Sequence, residues 1–106
     1  MDTRTQARMQ AQAAVFKALA HPSRIFIVNE LASGEQCVCE LTDKVGTDTS
    51  TVSKHLSLLR QAGIVAAEKR SNMVFYSLQA PCVLNFMTCV QGMLESKLEE
   101  LAALQG

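Results

Sequence analysis

At 106 residues the chain has room for one domain with a modest core. An apolar content of 48% excludes a disordered tail, and no apolar run reaches the roughly 20 residues that span a bilayer. Ten basic residues balance ten acidic ones, which excludes a uniformly basic nucleic-acid binder, so any such role rests on how charge is distributed.

The N-terminus lacks the apolar core of a signal peptide, so the expected location is cytoplasmic with no membrane partner. There the four cysteines stay reduced, which favours metal binding or thiol chemistry over structural disulfides.

Thr5 to Ala20 has a helical pattern with Ala11, Ala14, Val15, Ala18 and Leu19 as its apolar side. His21-Pro22 interrupts it, and Pro22 suits the first turn of a new helix, where no N–H is needed. This second helix places Ile25, Val28 and Leu31 on one face and ends at Gly34. Glu35 to Val45 predicts a short third helix with Val38, Leu41 and Val45 inward, closed by Gly46. Cys37 and Cys39 lie at its start.

In the fourth helix Val52, Leu56 and Leu59 recur at the spacing of one buried face. The other side carries Ser50, Thr51, Ser53, Lys54 and Ser57, with no acidic residue. Asp48 or Thr49 starts it as an N-cap, and Gly63 stops it. Short hydroxyls permit close backbone approach and Lys meets phosphates or guanine edges, so this face suits the DNA major groove. An ordinary amphipathic surface helix has the same pattern, and the residues after Gly63 decide between the two.

Past Gly63 the period becomes alternating. Ile64 to Arg70 reads as a strand, Ser71-Asn72 as a turn, and Met73 to Leu78 as a second strand with Val74, Tyr76 and Leu78 on one side. Lys69 and Arg70 fall near the hairpin tip, where they would lie against phosphates. Residues 49–79 hold Lys54, Arg60, Lys69 and Arg70 against Glu68, a local charge of +3 on a neutral chain. A short helix, a Gly turn, a second helix and a hairpin make a winged helix-turn-helix.

Pro81 opens a last helix to about Leu104, with Val83, Met87, Val90, Leu94, Leu98 and Leu101 every three or four residues. It is longer than a small domain covers, which predicts a homodimer through the terminal helices. Two-fold symmetry also suits palindromic operator sites. The expected fold is mainly α, with five helices and a two-stranded wing. Residues 1–106 form a single domain: helix-turn-helix about 37–62, wing about 64–78, dimerisation helix about 81–104.

Four stretches carry a family resemblance: Phe16-Lys17-Ala18-Leu19-Ala20-His21-Pro22-Ser23-Arg24, Cys37-Val38-Cys39-Glu40-Leu41, Ser50 through Val65, and Val74-Phe75-Tyr76-Ser77-Leu78. In this order and spacing the chain resembles the ArsR/SmtB metalloregulatory repressors over almost its full length. The resemblance implies a homodimeric repressor that leaves double-stranded operator DNA when an inducer binds. It implies Ser50, Ser53 and Lys54 as groove-facing residues, with Thr51 beside them, while His55 packs inward or along the backbone. No catalytic set is expected: two His and one Tyr come without a clustered acid, base and nucleophile.

Cys37 and Cys39 are the candidate inducer site. Soft thiolates select thiophilic ions, and a helix N-terminus lowers thiol pKa. Two buried cysteines acting as small hydrophobes are the competing reading. In a regular helix residues i and i+2 point apart. Either Cys37 precedes the helix, or binding unwinds the first turn. Ligation would then distort the third helix and shift the recognition helix, with a coupling of ~1–3 kcal/mol.

The family resemblance points to trivalent arsenic or antimony as inducer, with no organic cofactor. Arsenic repressors of this family carry a third cysteine three residues after the second, and here that place is Thr42. Cys82 or Cys89 is a candidate third ligand, or both pack at the dimer interface; seven residues apart, they sit ~10 Å from each other along one helix. Cadmium and lead sensors of the family add cysteines from an N-terminal arm, which has none here, yet a cadmium- or lead-responsive repressor stays open. So does a thiol redox or persulfide switch pairing Cys37 or Cys39 with Cys82 or Cys89.

Overall fold

The computed structural model describes residues 1–105. Helix α1 (Thr3–Leu19) is capped by Asp2, whose Oδ1 accepts the Thr5 N–H at 2.7 Å. His21 caps α2 (Pro22–Leu31), its Nδ1 accepting the Ser23 N–H at 3.0 Å. On α2, Ile27, Val28 and Leu31 are buried, whereas Ile25 is exposed. The expected inward face is therefore rotated. The helix turns toward α3, α4 and the sheet, and Ile25 opens onto a groove shared with α1 and the last helix.

The main departure from expectation comes just after α2. Gln36–Cys37 is a short strand, β1, and helix α3 begins only at Val38 (Val38–Val45). Gly46, at φ 81°, supplies the left-handed residue that ends α3. Helix α4 spans Thr49–Gln61, with Asp48 as its N-cap and Val52, Leu56 and Leu59 fully buried. Gly63, at φ 80°, lets the Ile64 N–H turn back to the Leu59 carbonyl at 3.0 Å.

Strands β2 (Val65–Arg70) and β3 (Met73–Leu78) pair antiparallel from Val65↔Leu78 to Arg70↔Met73. Strand β1 adds to the other edge of β3, with Gln36 opposite Tyr76 and Cys37 opposite Phe75. The sheet order is β1-β3-β2, so the wing sheet is three-stranded, not two-stranded. A strand of two residues has no periodicity to read. It pairs two residues of the β3 edge, Tyr76 and Phe75, that would otherwise be open.

Helices α2, α3 and α4 and the sheet close on one core built around Ile27, Leu41, Leu56, Leu59 and Ile64. Helix α5 (Cys82–Gln105) buries only Val83 and rests Leu84 and Met87 against that core. Beyond them its apolar stripe is open: Leu94, Leu98 and Leu101 are exposed. No helix of the described residues is long and apolar enough to cross a membrane.

Candidate nucleic-acid interface and dithiol site

Helix α4 offers its outer face to solvent while its inner face is sealed in the core. Ser50, Ser53 and Lys54 are exposed side by side on that outer face. Thr51 is half-buried and already engaged: its hydroxyl donates to Asp48 Oδ1 at 2.6 Å and its N–H to Asp48 Oδ2 at 3.3 Å. These bonds hold the Asp48 carboxyl below its ordinary range, the Thr51 side chain contributing most. Thr51 thus fixes the start of the helix, leaving the two serines and the lysine open on its first two turns.

The wing places Lys69 and Arg70 at the hairpin tip, where Ser71 takes the left-handed conformation (φ 55°). Arg70 is bound on several sides. Its guanidinium donates to both carboxylate oxygens of Glu35, at 2.9 Å for Nη2 to Oε2, and to Glu68 at 3.0 Å. It also lies over the Phe75 ring, 4.9 Å from the centroid. The Glu35 carboxylate beside it, with Glu68 next, pushes the guanidinium further toward its charged form. Glu35 had no signal in the sequence, because its partner lies 35 residues away.

The dithiol site forms where β1 becomes α3. Cys37 precedes the helix in extended conformation (φ −79°, ψ 161°) and serves as its N-cap. Its Sγ accepts the Glu40 N–H at 3.3 Å, and its own N–H donates to Glu40 Oε1 at 3.2 Å, closing a capping box. Because Cys37 stands outside the helix, its side chain and that of Cys39 converge. Against the expectation of four reduced thiols, these two sulfurs are joined as a disulfide, with Cα atoms 5.4 Å apart, because the extended Cys37 brings them together. Of the two openings left by the i, i+2 spacing, the structure takes the first: no turn needs to unwind. Cys37 is 2% exposed and Cys39 is open to solvent. Cys82 and Cys89 are free and exposed on α5. Among the described residues no group of three or more Cys, His, Asp or Glu is assembled that could hold a metal ion.

Two polar clusters brace these sites, and neither is legible in the sequence. Buried Gln36 donates to the Glu30 carbonyl at 3.0 Å and accepts from Lys44 Nζ at 2.9 Å, while Lys44 bridges to Glu30 at 3.1 Å. This network ties α2, β1 and α3 together. Separately, His55 of α4 stacks on His21, ring centroids 4.4 Å apart and planes at 48°. Burial holds the His55 imidazole below its ordinary range, with the charges of His21 and Arg24 adding to the effect. Sequence reading placed His55 in packing, and it packs there.

The sequence profile described as "Bacterial regulatory protein, arsR family" matches residues 21–67, from the α2 cap into β2. The HTH-type transcriptional regulator Rv0081 of Mycobacterium tuberculosis is 36% identical over 94 residues, spanning 88% of this chain and 82% of that protein. The chain belongs to the ArsR family. It is a DNA-binding transcriptional repressor of the ArsR/SmtB type and not an enzyme. A cadmium resistance regulatory protein CadC homologue from Staphylococcus aureus is 42% identical over 67 residues, covering 62% of this chain and 55% of its own. In three dimensions this ArsR-family chain is similar to the crystal structure of Rv0081, with TM-score 0.76, 32% identity, and coverage of 94% and 97%. The homodimeric winged helix-turn-helix domain Mb0332 of Mycobacterium bovis superposes with TM-score 0.81 at 29% identity, covering 94% and 93%.

Proposed function

We propose that this repressor binds operator DNA as a homodimer and releases it when trivalent arsenic or antimony is held by Cys37 and Cys39. Residues 1–106 act as one DNA-binding unit. Ser50, Ser53 and Lys54 enter the major groove with Thr51 bracing them, and Lys69 and Arg70 are the wing's cations for the phosphate backbone, Arg70 only once its bridge to Glu35 opens. One observation carries the inducer assignment: Cys37 stands outside α3, so two sulfurs two residues apart converge at the N-terminus of the first helix of the DNA-reading pair.

The donor set fits a soft, thiophilic ion. Both donors are sulfur, and no carboxylate or imidazole joins them among the described residues. The ion, when bound, supplies a link between the two thiolates. A third donor for arsenic would come from a small external thiol or solvent, or from Cys82 or Cys89 if α5 brought one of them to a site that is not assembled with them here. The protein's own part is structural. Cys37 Sγ is the acceptor for the Glu40 N–H, and Cys37 also pairs with Phe75 in β3. A change at this one residue therefore reaches both the helix pair and the wing.

Dimerisation draws support from α5 and from the homodimeric state of Mb0332. Phe16 of α1 and Phe86 of α5 lie 5.5 Å apart at the edge of a groove of about 800 Å³ lined mostly by apolar side chains. A second copy's terminal helices would cover this groove and the exposed leucines beyond it.

A second reading takes its support from the joined sulfurs: an oxidation switch in which Cys37 and Cys39 pair with each other, not with α5. Titrating the reduced protein on operator DNA separates the two. Under the arsenic reading, arsenite releases wild type, while Cys37→Ser and Cys39→Ser hold DNA and ignore arsenite. If arsenite leaves operator affinity untouched and a disulfide oxidant abolishes it, the oxidation reading replaces the first. Release by cadmium or lead alone would reassign the ion and keep the site.

A further inference from the structure

Arg70 is the wing's tip cation, and its positive charge is already matched. Glu35 takes it in a two-pronged bridge and Glu68 adds a third oxygen. Counting Glu35 and Glu68 against Lys69 and Arg70, the tip carries no net charge. An approaching phosphate meets a neutralised guanidinium flanked by two carboxylates, a poor docking point.

The two carboxylates differ in kind. Glu68 belongs to β2, two residues before Arg70, and travels with the wing. Glu35 does not. It immediately precedes β1, the strand that carries Cys37, and it reaches across to the tip from there. Both partners are well exposed, so the bridge is weak and screened by salt, and a phosphate is a competent rival for the same donors.

We propose that Glu35 is an intramolecular latch: its carboxylate competes with DNA phosphate for Arg70, and the wing's arginine reaches the duplex only when Glu35 lets go. The latch rests on the proposed DNA binding and adds the residue that controls one of its contacts. It is a positioning role, since Glu35 acts through Arg70.

The test uses the reduced full-length protein and a duplex selected for tight binding to wild type from a random-sequence pool. Wild type, Glu35→Gln, Arg70→Ala and the double variant are titrated across a salt series. Freeing Arg70 adds one phosphate contact, so Glu35→Gln should steepen the plot of log affinity against log salt by about one unit. In the Arg70→Ala background the same change should leave the slope where it was. Removing a bystander negative charge would shift affinity in both backgrounds without this dependence on Arg70. Equal slopes for wild type and Glu35→Gln, or equal steepening with and without Arg70, overturns the latch. A pool that yields no duplex bound by wild type removes the proposed DNA contacts and the latch together, whereas a binding wild type with an unchanged slope in Glu35→Gln removes the latch alone.

Discussion

His55 sits on α4 but is half-buried, its ring turned toward α2 and not outward with the serines. Its ring lies against His21, and its Nδ1 and the Arg24 Nε are shut off from solvent with no hydrogen-bond partner. A proton added here meets His21 and Arg24 of α2 and a poorly solvated site. The folded state therefore favours the neutral ring, and its pKa lies below the unfolded value of about 6.5. The stability this neutral packing contributes is complete above about pH 6.5 and is lost as pH falls through the folded-state pKa. Denaturant midpoints measured between about pH 7 and 5.5 should decline in wild type and decline less in His55→Gln; parallel curves would sever the link. The pairing itself was invisible in the sequence, because two histidines 34 positions apart carry no mark of contact. By contrast Leu56 announced its place by periodicity alone, and it is fully buried. Leu56→Ala should cost about 2–5 kcal/mol, read from chemical denaturation.

At the scale of elements, what could be read was what repeats. Helix α4 and the β2–β3 hairpin have long periodic runs, and their observed limits lie within a residue or two of expectation. Strand β1 has only two residues, and an N-cap cysteine stands where Ser, Thr, Asp or Asn is usual, so neither could be told from the start of α3. Yet β1 gives the site its reach. Through it the dithiol touches the wing directly, in addition to the expected route from α3 to α4. Here the joined Cys37–Cys39 pair coexists with Glu35 closed on Arg70. If β1 carries part of the response, Glu35→Gln should shrink the fold-loss of operator affinity caused by arsenite. An identical ratio in the variant and wild type confines the response to the helix pair. By linkage, operator DNA should weaken arsenite binding by the same factor that arsenite weakens DNA binding.

For the whole molecule, the decisive feature is a helix without a cover. The chain extends 56 × 44 × 21 Å, and α5 runs out past its own core with Leu94, Leu98 and Leu101 bare. The sequence showed this stripe plainly, because its spacing persists from Val83 to Leu101. It could not show how little of α5 its own protomer uses, namely Val83 with Leu84 and Met87 behind it, and Phe86 against Phe16. Leu98→Glu should leave the helix-turn-helix folded and split the dimer, seen as a halved mass by sedimentation. Operator affinity should then fall by a factor on the order of 100 or more, since each half-site is gripped alone. A variant that stays dimeric at micromolar concentration would place the interface elsewhere.

The bare stripe also bears on how sharply such a regulator responds to its own abundance. In a dimer held by this stripe, once the chains fall below the concentration at which half are paired, paired reading heads would shrink roughly as the square of chain number. A cell diluting this protein by growth would therefore lose control of the promoter abruptly, well before the last molecules are gone.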